Sequence, residues 1–196
     1  LRSQLVDRVE ICEHACKYGM DDFKAWKQLF SVAKDAISSK EVNKVVISRE
    51  VKVQCDTLIS VESVFQKLLK HNINSFVFGY YKDGKTFVGA TPEILVQKEK
   101  NMVLSYALAG TILRSNENDE LQKEVLLKDT KNRHEHQIVI DSIVNVMKKF
   151  TDELIVDETK ILTLKNLHHL QTAIYGKDKN STLLQWVKRL HPTPAL

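Results

Sequence analysis

Apolar residues recur every three or four positions in several stretches of this chain, and in others they alternate or run together. The longest helical pattern passes through Ile138, Val139, Ile140, Ile143, Val144, Val146 and Met147. That spacing gathers one apolar face and predicts an amphipathic helix from about Lys131 to near Phe150. Leu5, Val9, Cys12 and Cys16 predict a helix over residues 1–18, closed by Gly19 as its C-cap. Asp21 and Asp22 can cap a second helix, whose stripe of Phe23, Trp26, Phe30, Ala33 and Ile37 is expected to be core. Ser60 to His71 follows, with Val61, Val64, Phe65, Leu68 and Leu69 inward, and Leu121 to Lys128 leads into the long helix. Ser181 is expected to cap the last helix, burying Leu183, Leu184, Trp186, Val187 and Leu190.

Strand patterns lie between these helices. From Lys44 to Val53 the first half is β-branched and continuous and the second half alternates, predicting a strand that begins buried and ends half exposed. Ser75 to Tyr81 and Lys85 to Ala90 flank Lys82-Asp83-Gly84, an antiparallel hairpin signal. Pro92 interrupts the ladder before a strand from Ile94 to Gln97; a bulge or corner there can aim Glu93 off the sheet, although glutamate after proline is more commonly a solvated turn residue. Met102 to Leu108 is a strand ending at Ala109-Gly110-Thr111, where glycine lets backbone amides approach a ligand and Thr111 adds a hydroxyl. Leu154–Val156 and Ile161–Leu164 predict short strands, and Leu167–Gly176 a longer one. The hairpin and the mixed order of elements point to an α+β fold of largely antiparallel sheets backed by helices. With no repeat and no low-complexity linker, no domain boundary is expected within residues 1–196.

Composition narrows the function. A chain of 196 residues, 43% hydrophobic and 28% charged, is about one domain long and can bury a core. The 29 basic and 25 acidic residues are spread along it without an Arg/Lys block interleaved with aromatics, so nucleic acid is not an expected partner. Cys12, Cys16 and Cys55 cannot all pair, and Cys12 and Cys16, with His14 between them, lack the second ligand pair of a zinc site. No run approaches a membrane span of roughly 18 residues and no signal-peptide core opens the chain, so no membrane and a cytoplasmic location are expected.

Candidate chemistry centres on Lys131-Asn132-Arg133-His134-Glu135-His136. A carboxylate between two histidines at a helix start could hold a cation or polarise a substrate, and it reads equally well as a solvated helix end. It is not a zinc protease motif, because the fourth residue after His134 is Ile138. A metal on Glu135 would more suitably be hard, oxygen-liganded Mg²⁺. Lys44, at the mouth of its strand, is by itself most simply a solubilising end residue.

In order along the chain, K-V-V-I-S-R, G-A-T-P-E, A-G-T, R-H-E-H, H-L-Q-T and L-H-P-T-P-A-L resemble motifs of the chorismate-utilising enzymes, most closely the isochorismate synthases. The match runs from about residue 21 to the C-terminus, and six motifs in register are highly specific. The resemblance implies the fold of anthranilate synthase component I and the Mg²⁺-dependent conversion of chorismate to isochorismate. It makes Lys44 the general base that activates water, Glu93 the general acid for the departing C4 hydroxyl, and Glu135 an Mg²⁺ ligand. Gly110 and Thr111 would contact substrate. So would His169, with His168 in place of the family's aromatic residue, and Thr172 in the same motif. Ala195 and Leu196 would line the pocket beside the nucleophile. Water must arrive at C2 as hydroxide leaves C4, so one group accepts a proton and another donates one. A lysine does the first only when neutral, and a glutamate the second only when its pKa is raised.

The family pattern continues past H-P-T-P-A-L into an arginine-bearing segment and a second metal-binding glutamate. On the resemblance the chain is therefore expected to be a partial catalytic domain, with residues 1–20 a leading helix from a preceding region. The alternatives within the family are salicylate synthase, which shares the lysine and eliminates pyruvate, and the ammonia-using anthranilate and aminodeoxychorismate synthases, which typically lack it. A non-catalytic binding fragment is the alternative outside it. The resemblance leaves open whether isochorismate would feed menaquinone, a siderophore or salicylate, and leaves the oligomeric state open.

Overall fold

The computed structural model describes residues 20–48, 50, 51, 55 and 58–195. The predicted helix over residues 1–18 lies outside them, as does Leu196. The described residues form two compact units: one runs up to Lys70 and includes Val77–Gly89, and the other holds His71–Phe76 and the chain from Ala90 onward. No change of composition in the sequence marks that division.

In the first unit, α1 (Met20–Ser38) and α2 (Val61–His71) form where the apolar period places them. Ser60 Oγ accepts from the Ser63 N–H at 3.1 Å, satisfying one of the free donors at the start of α2. The stripe on α1 is not the core expected of it. Phe23 and Trp26 stack at 6.3 Å and Trp26 and Phe30 at 5.3 Å, yet they are 66%, 39% and 48% exposed, and of the stripe only Ala33 is buried. Aromatic contact along one helix covers little of each ring when, among the described residues, no second element covers it.

The strand expected from Lys44 to Val53 is also absent from its described part, where residues 44–48, 50 and 51 have no regular structure. β-branched residues favour a strand through cross-strand partners, and among the described residues no strand pairs with this segment. The hairpin forms as read. β1 (Phe76–Lys82) and β2 (Lys85–Thr91) are joined by Asp83 and Gly84, both left-handed at φ 50° and 73°, as a two-residue turn of this type requires.

The second unit is built on a five-stranded antiparallel sheet. β3 (Gln97–Glu99) pairs with β4 (Met102–Leu113), and β4 with β7 (Leu167–Asp178). β5 (Thr151–Val156) and β6 (Lys160–Thr163) both pair with β7. One face of β4 and β7 is covered by α3 (Asp119–Lys128) and α4 (Thr130–Met147). Alternation decides which side chains go inward: Val103, Ser105 and Ala107 on β4, and His168, Leu170, Thr172 and Ile174 on β7, are buried. Val139, Ile143 and Met147 of α4 pack on them with Trp186 and Leu190 of α5 (Leu183–Leu190). Each such side chain contributes roughly 1.5–3 kcal/mol when fully buried.

Two boundaries differ from expectation. Ile94–Val96 is not strand: Pro92 has no N–H to donate, and the Leu95 carbonyl accepts from Ser105 Oγ at 2.7 Å instead of from a ladder amide. Leu95 and Val96 pack against the core all the same. The cap of α5 is Thr182, one residue after Ser181, because Thr182 and Gln185 form a reciprocal capping box; the Ser181 N–H bonds the Asp178 carboxylate instead. Leu183 and Leu184, expected to be buried, are 49% and 63% exposed, while Trp186 and Leu190 are buried on the side of α5 that meets the core.

Candidate functional site

The register of β4 and β7 slips once. Leu108 pairs with Gln171 and Thr111 with His169, so Ala109 and Gly110 together stand opposite Leu170 alone. This is a β-bulge, and it bends the strand where the sheet meets the start of α4. Gly110 has φ 83°, and a Cβ there would stand 3.2 Å from the Cβ and carbonyl oxygen of Asn132 and from Leu170 Cδ1. Both the dihedral and the close approach therefore demand glycine.

Asn132 fastens the helix to the bulge. Its Oδ1 accepts from the Thr111 N–H at 3.2 Å, while its own N–H and Nδ2 donate to Asp129 Oδ1 at 2.7 and 2.8 Å. Asp129 is the N-cap of α4, so one carboxylate closes the helix and orients the side chain that grips the strand. Glu135 lies three residues beyond Asn132, on the same side of the helix one turn along.

These elements enclose a cavity of about 400 Å³ lined by Glu93, Gly110, Thr111, Glu135, His169 and Ala195. Those six were all singled out from the sequence, and the fold brings them to one place. Glu93 and Glu135 are half-buried, and burial pushes the Glu93 carboxyl above its ordinary value of 4.5. Thr111 Oγ1 lies 2.8 Å from His169 Nδ1, across the register pair. Burial holds His169 below the usual imidazole value, against an opposing contribution from the Gly110 backbone. An imidazole that burial keeps toward its neutral form beside a hydroxyl, a glutamate whose burial favours its protonated form and a second carboxylate form a pocket that can donate a proton and bind a polar, anionic ligand.

Other residues of the wall carry no motif signal: Asn72, Ser75, Leu164 and Leu167. Asn132 could have been suspected from its place three residues after a capping Asp, although nothing in the sequence shows that it reaches β4.

Three sequence candidates stand apart. Thr172 is 1% exposed and is not brought to the cavity. It lies on the helix-facing side of β7, 2.8 Å from His136 Nε2 and 2.9 Å from Thr159 Oγ1, because residues 168, 170 and 172 face inward while 169 and 171 do not. Lys44 belongs to the first unit, half-buried in a segment without regular structure, so the geometry of the second unit alone does not bring it to Glu93. Leu196 lies outside the described residues.

No three His, Cys, Asp or Glu side chains gather into a ready-made metal cage among the described residues. Mg²⁺ does not need one, since it keeps waters and takes one or two protein carboxylates plus substrate oxygens. A half-buried glutamate in a cavity with a second carboxylate fits that habit and offers none of the sulfur or paired imidazole that zinc prefers.

The profile of a chorismate binding enzyme matches residues 8–196, and so covers both units. The chain belongs to the chorismate-binding enzyme family. It is 37% identical over 175 residues to the isochorismate synthase MenF of Bacillus subtilis (strain 168), covering 87% of this chain and 37% of that protein. It is 30% identical over 201 residues to the isochorismate synthase EntC of Escherichia coli (strain K12), covering 100% of this chain and 50% of that one. Among solved structures, a 2,3-dihydroxybenzoate-specific isochorismate synthase, DhbC from Bacillus anthracis, superposes with a TM-score of 0.65 at 31% identity, over 70% of this chain and 40% of that one. Anthranilate synthase component I from Streptococcus pneumoniae shares the fold, with a TM-score of 0.60 at 20% identity over 70% of this chain and 31% of that one. This member of the chorismate-binding family thus spans half or less of the length of these relatives. The α+β fold with antiparallel sheets, expected from the sequence, is the one these structures have. Among the described residues no helix is long and apolar enough to cross a membrane.

Proposed function

We propose that this chain carries the reaction site of an isochorismate synthase, in which water adds at C2 of chorismate as the C4 hydroxyl departs. The observation that supports this best is the convergence of Glu93, Glu135, Gly110, Thr111 and His169 on one cavity, with Glu93 in a setting that favours its protonated form. Glu93 donates its proton to the leaving hydroxyl, and a raised pKa is what lets a carboxyl do so near neutrality. Lys44 takes the proton of the attacking water, a role that rests on the K-V-V-I-S-R resemblance. Thr111 and the Gly110 backbone orient the substrate, and His169, held by Thr111, presents its remaining ring nitrogen to it. Glu135 would hold Mg²⁺, which when bound neutralises a carboxylate of the substrate and draws it into the site. A cytoplasmic location goes with this reading.

Product analysis tests it. Chorismate incubated with Mg²⁺ and a version of this chain extended to the length of its isochorismate synthase relatives should yield isochorismate, and EDTA should abolish it; in that version Lys44→Ala should stop water addition while leaving Mg²⁺-dependent chorismate binding intact. Salicylate with pyruvate would move the assignment to the lyase branch. Binding without any Mg²⁺-dependent product would make it a binding module.

A further inference from the structure

The turn between β6 and β7 supplies Leu164 and Leu167 to the cavity wall, yet it has little to hold it from within: one backbone bond joins the Leu164 N–H to the Leu167 carbonyl at 2.8 Å. Beside one bond between Lys165 Nζ and His71 Nδ1 at 3.0 Å, Arg114, just past the end of β4, supplies the rest. Its N–H donates to the Asn166 carbonyl at 3.0 Å, and Nη1 reaches the carbonyls of Leu164 and Lys165 at 3.1 and 3.4 Å.

Asp119, the first residue of α3, holds that guanidinium in place. Nη2 donates to its Oδ2 at 2.7 Å, and Nε lies 3.2 Å from both carboxylate oxygens. Asp119 Oδ1 also lies 2.9 Å from Nε2 of His168, whose Nδ1 lies 3.0 Å from Thr163 Oγ1. One carboxylate thus joins two arms, Arg114 on the carbonyls of the turn and His168 with Thr163 on the strands that flank it. The Arg114 hydrogen bond holds the Asp119 carboxyl well below the usual carboxylate range, with His168 acting in the same direction.

His168 is fully buried on the helix side of β7, and its chain neighbour His169 is in the cavity on the other. Adjacent residues of a strand cannot shift independently, so whatever fixes the first ring fixes the backbone that carries the second. We propose that Asp119 is a positioning residue for the cavity: by holding Arg114 and His168 it sets the β6–β7 turn and with it Leu164, Leu167 and His169. Asp119 also satisfies the fully buried Nε2 of His168 and so adds to stability, but its Arg114 arm directs its effect to the Leu164 and Lys165 carbonyls of the turn, whereas α3 itself is anchored by Leu126, which is fully buried.

The consequence for ligand rests on the isochorismate synthase reading; the consequence for the turn does not. Amide hydrogen exchange and chorismate calorimetry in the presence of Mg²⁺ are to be compared for the unmodified chain, Asp119→Ala, Asp119→Asn and Leu126→Ala. Asp119→Ala should speed exchange at the Leu164 and Arg114 amides by about tenfold or more, with the Val139 and Ile143 amides of α4 unchanged. It should also weaken chorismate binding by about tenfold, with Asp119→Asn intermediate because its amide oxygen still accepts one bond. Leu126→Ala should lower the unfolding midpoint with no selective effect on the turn. Unchanged exchange at Leu164 in Asp119→Ala would overturn the proposal, as would an equal rise at Val139, or a loosened turn with undiminished affinity. If a version extended to the length of its relatives does not bind chorismate, the isochorismate synthase reading fails, and exchange at Leu164 still decides whether Asp119 holds the wall.

Discussion

α1 and α4 carry the same kind of apolar stripe and meet opposite fates. On α4, Val139, Ile143 and Met147 are at most 1% exposed, while on α1 Phe23, Phe30 and Ile37 are 66%, 48% and 43% exposed. Strand-like segments divide in the same way. Val103 and Ile174 are fully buried on the paired β4 and β7, whereas Val45 and Val46, at 39% and 48%, lie in a segment with no strand beside it among the described residues. Period states which face of an element is apolar. Whether that face is covered depends on a second element, and helices in proteins draw most of their stability from that contact rather than from propensity.

The comparison breaks first at its covered side. Ile143→Ala should destabilise the second unit by roughly 2–5 kcal/mol, read as a lower urea midpoint, since the cavity left behind adds to the lost transfer free energy. Next come two glycines with similar left-handed dihedrals, Gly110 at φ 83° and Gly84 at φ 73°. A Cβ at Gly84 meets nothing within 4 Å, so Gly84→Ala should cost only about 1–2 kcal/mol for its backbone conformation. Gly110→Ala should cost more and also weaken chorismate binding, because it displaces Asn132 or Leu170 as well.

Coverage also has an electrostatic consequence, smaller and pH-dependent. Because burial raises the Glu93 pKa in the folded chain, the folded state loses stability as pH rises from its ordinary 4.5 through the raised value. Glu93→Gln should therefore be more stable than the unmodified chain at pH 7, with the gain vanishing below pH 4.5 in thermal unfolding, while isochorismate formation is lost. Smallest of all, Phe30→Ser on the exposed stripe of α1 should change stability by no more than about 0.5 kcal/mol. A loss as large as that of Ile143→Ala would show that the α1 face is covered in solution.

Much of the fold was legible along the chain. The long helix after Asp129, the Asp83-Gly84 hairpin and the two long strands need only local information: a capping residue, a turn dipeptide, a repeating period. The six cavity residues were legible as candidates as well, through motifs whose order along the chain resembles the chorismate-utilising enzymes, although spacing alone left Glu135 balanced between a ligand and a solvated helix end. Thr172 stands on the opposite face of β7 from His169, because an odd number of positions along an uninterrupted alternating strand changes faces. Arg114 and Asp119, five residues apart, look like an ordinary charged loop until the β6–β7 turn, some fifty residues later, folds against them.

By itself the sequence determined most of the kinds of element, the apolar side of each and the family to which the chain belongs. Those properties are carried by short-range sterics, by hydrogen bonding within a turn or two and by residue order. The tertiary structure decided which apolar faces found a cover, that Ser105 takes the carbonyl of Leu95, that Asn132 ties α4 to the bulge, and that Glu93, Glu135 and His169 share one cavity. Each of these needs two segments far apart in the chain to meet in one register, and register is set by the packing of the whole sheet rather than by any residue within it.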